Sequence, residues 1–585
     1  MTATSPTSRF ARVPGVLWVF FISLIMLLQL CIAWPGAGER GIIAEEAQPY
    51  LRHYPVVLGD ERRLDGPRPW PPNDDDGSRA AVAAGEPVEP RWVGTGQWPQ
   101  LAWQGRERIW PLFVRGHQTA LGTWWGVALA PVLGDGIAGV RRSSVLLGLV
   151  LLGLVIALAR RIGLAAPLVL LVGLGCVLSP GLWFFARTGY GFELASRVFM
   201  LAALVLAARP GRLDLRRGTL LGLCVAAAAL SRITVAVTLG PALILLLVHP
   251  RRWPGVARFL WPAVLAAVLT VALVGVALAT LPFWPGTTPG ADLPLAALAA
   301  RTLAAPMCLF MQLAWVADPR VILGPLVAGA ETVEMSRAIV PALIGGAVFV
   351  LALVRWWRRR SGDGERMFVA ATLGNALGGA WLYGEPSQFQ LGMALEPLFV
   401  LAVAEQLGAL RSVHRRIAAW LISALLVLRA LTLGSLWHSE RHTGNPMLSG
   451  LAQRAVLAEL VSLDASRVLT TDYNHAGVFE AWTDDRVRPI HGWPLLASRG
   501  HTVAELHGAF GSILDEFVIC HVMFSVGPNL VAGEFSEPGR AREGLEYALV
   551  ERRRTVRERR VFLSEAGTPA LELWSLSRCG PSVRE

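Results

Sequence analysis

Two adjacent carboxylates, Glu45 and Glu46, lie in Gly41-Ile-Ile-Ala-Glu-Glu-Ala-Gln-Pro-Tyr50, shortly after the first long apolar run ends. Successive side chains on a helix point about 100° apart, so one acid can face a cavity while its neighbour bonds the scaffold. A carboxylate held in that way can take the proton of an attacking hydroxyl as a general base. A solvated turn would carry the same pair. In Ala186-Arg-Thr-Gly-Tyr-Gly-Phe-Glu193, Arg187 and Glu193 flank a glycine-rich aromatic turn. Glu193 and Arg197 are spaced to pair on one helix face. That pairing would neutralise an arginine which, alone at mid-span, costs about 3 kcal/mol. Arg232, in Leu230-Ser-Arg-Ile-Thr234, separates two apolar runs. Its planar fork suits a phosphate, or else it snorkels to the membrane surface. Arg429, inside the last apolar run, allows the same two readings.

The elements that must position these groups are set by composition. The chain has 585 residues, 53% hydrophobic and only 17% charged, with a mean hydropathy of +0.47. A soluble protein would carry about a quarter charged residues. The deficit falls in long runs nearly free of charge, which excludes a soluble enzyme and predicts a polytopic α-helical membrane protein. All 54 basic residues are arginine. Without lysine there is no Schiff base and no P-loop lysine, so pyridoxal phosphate chemistry and Walker-type nucleotide use drop out. The net charge of +11 on such a protein reports topology rather than nucleic-acid binding.

A span needs about 20 mostly apolar residues. Spans are predicted at 14–34, 141–159, 164–185, 194–208, 217–231, 233–249, 256–281, 338–357, 367–384, 389–408 and 417–437. With the N-terminus inside, these eleven spans put Arg160/Arg161, Arg209 to Arg217, Arg251/Arg252, Arg355 to Arg366 and Arg411 to Arg416 in cytoplasmic loops, as the positive-inside rule asks. The segment 293–316 is apolar but holds Arg301 and Pro306. If it crossed, the Arg358 to Arg360 cluster would move outside, so it is read as interfacial or re-entrant. The domain division is then 1–437, a membrane domain with long outer loops at 35–140 and 282–337, and 438–585, a small extracytoplasmic α/β domain. In the latter, Leu451 to Leu463 reads as a helix. Arg467 to Asp472, Glu516 to Cys520 and Ala570 to Trp574 read as strands.

Six cysteines form no CxxC and no Cys/His cluster, so no metal site is expected. Cys520 and Cys579 each end a strand-like run. On neighbouring strands their Cα atoms would fall within the roughly 4.4–6.8 Å of a disulfide; on unrelated ones they would stay apart. Trp92, Trp98, Trp103, Trp110, Trp124 and Trp125 crowd the first outer loop. They suit interface anchoring first and sugar stacking second.

The order of these pieces resembles the GT-C membrane glycosyltransferases, nearest to the protein O-mannosyltransferases and the lipid A aminoarabinose transferases. The resemblance covers about the first 410 residues. It runs through the acidic pair, Trp110-Pro-Leu-Phe, Gly116-His-Gln-Thr-Ala-Leu-Gly122, Ala130-Pro-Val-Leu-Gly134 and Val140-Arg-Arg-Ser-Ser144. It continues through Ser179-Pro180, the Arg187 to Glu193 turn, Ser231-Arg232 and the Phe389 to Leu407 span. It implies sugar transfer from a polyprenyl-phosphate carrier to an acceptor on the outer side of a bacterial inner membrane. The lipid-linked sugar is then the donor substrate, and no other cofactor is expected. The family's acidic pair usually reads Asp-Glu with the Asp as base; Glu45 holds that place here and Glu46 matches the second acid. Arg232 stands where the family tends to have a lysine near the carrier phosphate. Arg187, Glu193 and His117 fall in the same expected carrier site. Phosphate leaves readily, so one base and a guanidinium suffice for inverting transfer without an obligatory metal. The alternatives are a transporter or flippase of lipid-linked saccharide, a non-catalytic anchor for the C-terminal domain, and an inactive family member.

Overall fold

The computed structural model describes residues 15–37, strand pieces between 102 and 119, 121–247 except 135, 190, 209–214, and 301–329, 334–383 and 392–411. It further describes 414–470 except 446–447, 487–578 except 492–501, 517, 527–537, and isolated residues near 265–272. Glu45, Glu46, His117 and Cys579 lie outside the described residues, as does nearly all of the predicted 256–281 span.

Among the described residues of the first 441, apolar runs become helices: α1 Gly15–Ala33; then, after short strands β1 Ala102–Gln104, β2 Ile109–Pro111, β3 Phe113–Arg115 and β4 Gln118–Thr119, α2 Leu121–Leu133 and α3 Ile137–Arg161. Next come α4 Ala166–Val177, α5 Pro180–Arg187, α6 Gly191–Ala208, α7 Leu215–Ser231, α8 Ile233–Leu247, α9 Ala305–Ala317 and α10 Arg320–Ala328. The helical part closes with α11 Met335–Trp357, α12 Asp363–Tyr383, α13 Glu396–Arg411 and α14 Arg415–Arg441. Among the described residues, four helices, α1, α3, α11 and α14, are long and apolar enough to cross a membrane, or up to six spans if the bent pairs α4–α5 and α9–α10 each count as one. The chain is a multi-pass membrane protein. The described parts of the predicted spans 194–208, 217–231, 233–249, 367–384 and 389–408 lie mostly on helices, but α7, α8 and α13 have only 17, 15 and 16 residues.

Contacts sort the helix ends into two groups. Arg160 at the end of α3 lies over the Trp18 ring near the start of α1, 5.0 Å from its centroid. Leu168 in α4 packs against Gly408 in α13. Glu405, one turn earlier in α13, accepts from the Gly364 and Glu365 amides at 3.0 and 2.8 Å. Arg355 of α11 pairs with Glu365 at 2.8 Å. The arginine-bearing loops after α3, α11 and α13 therefore share one end of the bundle. The ends of α1, α5 and α14 meet at the other, through Arg187, which bonds Ala33 at 3.2 Å and Glu440 at 3.3 Å.

The pair α9–α10 bends by 85° and fits that map as a hairpin. Arg301, just before α9, donates to the Trp381 carbonyl near the end of α12 at 2.8 Å, away from the basic end. The Val316 carbonyl near the end of α9 accepts from Arg429, midway along α14, at 3.2 Å. Beyond the bend, α10 returns: its Leu326 and Val327 carbonyls accept from Asn445 and Thr443 just past α14, at 2.6 and 2.5 Å. Arg301 before α9 and the last carbonyls of α10 thus both contact residues at the end away from the basic loops. Gly329 closes α10 in the left-handed conformation (φ 78°), where an added Cβ would strike the Gly444 backbone.

Residues 450–576 form an α/β unit: α15 Gly450–Ser462, β5 Arg467–Thr470, β6 Arg488–His491, α16 Val503–Glu516, β7 His521–Ser525, α17 Pro538–Glu551, β8 Val556–Leu563 and β9 Pro569–Leu576. The five-stranded sheet runs β6-β5-β7-β9-β8, with β6, β5 and β7 parallel and β9 and β8 antiparallel. Val456, Leu460, Val468, Met523 and Leu573 pack under α15 on one face. Phe510, Leu514, Leu545, Val522 and Trp574 pack under α16 and α17 on the other. One expected strand is displaced. Glu516 ends α16 and residues 518–520 are an irregular lead-in, so the central strand is His521–Ser525. Sheet pairing decides this, since Val522 stands opposite Trp574 and beside Leu469. Cys520 precedes that strand; its pairing with Cys579 falls outside the described residues.

Candidate functional site

The acid pair begins eight residues beyond Ala37, the last described residue of the segment that leaves α1. That root is held from three sides. Trp183 of α5 donates its indole N–H to the Ile32 carbonyl at 3.2 Å. Arg187, at the end of α5, donates Nη1 to the Ala33 carbonyl at 3.2 Å and also to that of Pro35. Arg141 in the first turn of α3, wholly buried, donates to the Ala37 carbonyl at 3.0 Å. The last carbonyls of a helix have no partner within it. Here buried guanidinium and indole groups supply the partners, which fixes the direction in which the chain leaves.

Arg187 itself is 3% exposed. Its other Nη atom pairs with Glu440 of α14 at 3.3 Å, and its guanidinium lies 5.0 Å from the Trp183 ring centre. The sequence expects it at a carrier phosphate; its Nη atoms bond the α1 root and Glu440.

Glu193, in the first turn of α6 and fully buried, forms the second group. One carboxylate oxygen accepts from Arg197 Nη1 at 2.5 Å, the pairing expected from their spacing. The other pairs with Arg232 at the α7–α8 junction. One carboxylate thus bridges two guanidinium groups. Arg232 is 9% exposed, the most accessible of the three.

A third group lies deeper. Glu396 opens α13, 2% exposed, and accepts from the Ser179 hydroxyl. Ser179 caps α5 through the Leu182 amide at 3.2 Å, so Glu396 grips the bend between α4 and α5. Arg429 of α14 donates to the Gly175 carbonyl of α4 at 3.3 Å and to Val316 of α9 at 3.2 Å. One guanidinium therefore serves the carbonyl ends of both bent pairs. Its role in the structure is to join breaks, and it does not snorkel. Ser179, Arg197, Glu396 and Cys176 line a small cavity between these helices.

Of the expected site residues, Glu193 and Arg232 come together, Arg187 belongs to the loop root, and Glu45, Glu46 and His117 lie outside the described residues. No group of three metal-ligating side chains occurs among the described residues. Glu396, Glu440 and Arg141 enter without having been singled out. An acid just before Pro397 in an apolar run is a signal that could have found Glu396. Glu440 sits among His438, Ser439 and Arg441 like any surface residue, and nothing in its spacing marks it.

No family model matches the chain, and no curated protein matches it. Among solved structures it is similar to ArnT from Cupriavidus metallidurans in the apo state, at 13% identity and a TM-score of 0.47, over 96% of this chain and 98% of that one. It is similar to the same protein bound to undecaprenyl phosphate at 14% identity, with a TM-score of 0.47 and the same coverage. It is also similar to the arabinofuranosyltransferase AftD from Mycobacteria, at 14% identity and a TM-score of 0.45, over 97% of this chain but 40% of AftD.

Proposed function

We propose that the chain is a membrane glycosyltransferase of the GT-C type. It moves a sugar from a polyprenyl-phosphate carrier to a hydroxyl acceptor at the end of the bundle where α1 leaves. The observation that carries this reading is the rigid root of the acid-bearing segment at the end away from the arginine loops. Glu45 is the proposed base, with Glu46 as its neighbour on the scaffold. As the acceptor hydroxyl attacks the anomeric carbon, Glu45 takes its proton and the carrier phosphate departs from the opposite face, which inverts the centre. Arg232, oriented by Glu193, meets the charge on the departing phosphate. His117 belongs to the same carrier site by the resemblance. Arg187 is given a positioning role. By the arginine distribution this end faces the periplasm of a bacterial inner membrane, and the α/β unit lies on the same side.

A second reading has an observation of its own. Glu396, Arg429 and Arg197 put charge inside the bundle, as a transporter or flippase of lipid-linked saccharide would. One experiment separates the two. The full chain is reconstituted in vesicles that carry a polyprenyl-phosphate sugar and offered soluble hydroxyl acceptors. Transfer predicts release of sugar-free carrier. Movement of intact donor between leaflets without cleavage would favour the second reading and contradict the first.

A further inference from the structure

The turn after α11 is tightly built and carries three consecutive exposed arginines, Arg358, Arg359 and Arg360. The Arg355 carbonyl accepts from the Arg360 and Ser361 amides at 2.8 and 3.1 Å. The Arg355 side chain crosses the turn, donating to Glu365 at 3.0 Å and to the Arg360 carbonyl at 3.1 Å. Arg366 holds the Ser361 hydroxyl at 3.0 Å. Arg359 takes the left-handed conformation, φ 54°, which is costly for a residue with a Cβ and after a helix usually falls to glycine. The nearby acids are engaged elsewhere: Glu365 by Arg355 and the Gly362 amide, Glu405 by the Gly364 and Glu365 amides, and Asp363 by Arg366. Among the described residues, no carboxylate meets the guanidinium of Arg358, Arg359 or Arg360.

We propose that this turn is a binding site for an acidic phospholipid of the leaflet at the basic end of the bundle. Beside the arginines, Trp357 is 89% exposed. It shares one face of α11 with the exposed Leu343, Val350 and Val354, since their spacing follows the helical period. An exposed apolar stripe on a spanning helix faces acyl chains, and a tryptophan at its end sits at the headgroup level. The guanidinium groups that follow are then held at the depth of lipid phosphates, which their planar forks take bidentately. A free phosphate would satisfy the arginines and leave the stripe and Trp357 without a role. An acidic lipid meets all of them. Arginines that only report topology need to lie in the loop and need no fixed turn. Here the turn is fixed from both sides, with Arg359 held in an unfavourable conformation. The site lies at the opposite end of the bundle from the proposed transfer site and does not depend on what that end does.

The test titrates the delipidated full chain, in neutral detergent, with phosphatidylglycerol or with phosphatidylcholine of the same chain length, and counts bound lipid by native mass spectrometry. Wild type should bind phosphatidylglycerol at least about ten-fold more tightly. Arg358→Gln, Arg359→Gln and Arg360→Gln should each weaken it about five-fold, and the triple variant further, while phosphatidylcholine binding holds. Trp357→Ala should also weaken it. Arg337→Gln, at the other end of α11 where Arg337 pairs with Glu334, should change nothing. Equal affinity of wild type for the two lipids would overturn the proposal. So would an equal loss in Arg337→Gln, which marks general attraction to the chain. Wild-type affinity in Trp357→Ala, or displacement of the lipid by glycerol phosphate at matched concentration, would show a bare anion site and overturn the assignment to lipid. If the arginine variants do not fold, hydrogen exchange on wild type in nanodiscs decides. Peptides covering 355–366 should exchange at least about three-fold more slowly with phosphatidylglycerol present than in phosphatidylcholine alone, while peptides of α6 keep their rates. Unchanged exchange at 355–366 would overturn the proposal.

Discussion

Glu193 bears on two arginines at once, and its neutralisation should be costly. Glu193→Gln leaves Arg197 and Arg232 buried with no carboxylate between them, a loss of about 3–5 kcal/mol for a broken buried pair. Thermal unfolding in detergent should show it; a midpoint within a degree or two of wild type would contradict the paired arrangement. Outside the membrane, burial pushes the His521 imidazole below its ordinary pKa, with Glu459 pulling the other way. A depressed imidazole is neutral in the fold, while the unfolded chain takes up the proton first, near pH 6.5. The stability it contributes is therefore complete above about pH 6.5 and is lost as pH falls through the folded value. Exchange across β7 and β9, corrected for the intrinsic rate, should quicken below that pH, and His521→Asn should flatten the dependence. At this scale the sequence is informative where charge interrupts an apolar run: Glu193, Arg197, Arg232 and Arg429 all stand out that way. Glu440 does not. Its partner lies 253 positions away, and no local spacing encodes such a pairing.

The crossing of α9 and α11 depends on Gly345. A Cβ there would overlap the Leu313 carbonyl oxygen, backbone that cannot swing aside, whereas one at Gly346 meets nothing within 4 Å. Gly345→Ala should force the helices apart and cost about 1–3 kcal/mol, the range of overpacking. Gly346→Ala should be neutral or gain up to about 1 kcal/mol from helix propensity. Equal melting temperatures for the two variants would contradict that crossing. The sequence reads 293–316 as interfacial or re-entrant from Arg301, Pro306 and the parity of the arginine loops, but the 85° break between α9 and α10 carries no such signal. The central strand is less legible. Phe517-Val-Ile-Cys520 has strand-like composition, yet strand limits in a sheet are set by partners, and β5 and β9 pair with His521–Ser525. The bends at Ser179 and Pro319 cannot be read as joints from sequence, since the groups that hold them, Glu396 and Arg429, arrive from distant helices.

Across the described residues, the arginine-bearing loops after α3, α11 and α13 gather at one end and the ends of α1, α5, α10 and α14 at the other. The number of crossings turns on 248–300, most of which lies outside the described residues. A reporter fused in the 358–362 loop should report the cytoplasm, and one fused after Glu585 the opposite side. Exchanged compartments would invert the assignment of the site, and the same compartment for both would contradict the opposite-ends arrangement. The layout is legible because lipid imposes a strong constraint on composition, while the chemistry is legible only as far as the acid pair and its resemblance. That pair carries the central claim. The most direct test is transfer of sugar from a polyprenyl-phosphate donor by the reconstituted full chain, comparing wild type with Glu45→Gln and Glu46→Gln at matched folding. Removal of the base at Glu45 should lower kcat by about 10²–10⁴-fold, while binding of the lipid donor persists. Wild-type rates of transfer in both single variants would contradict the account.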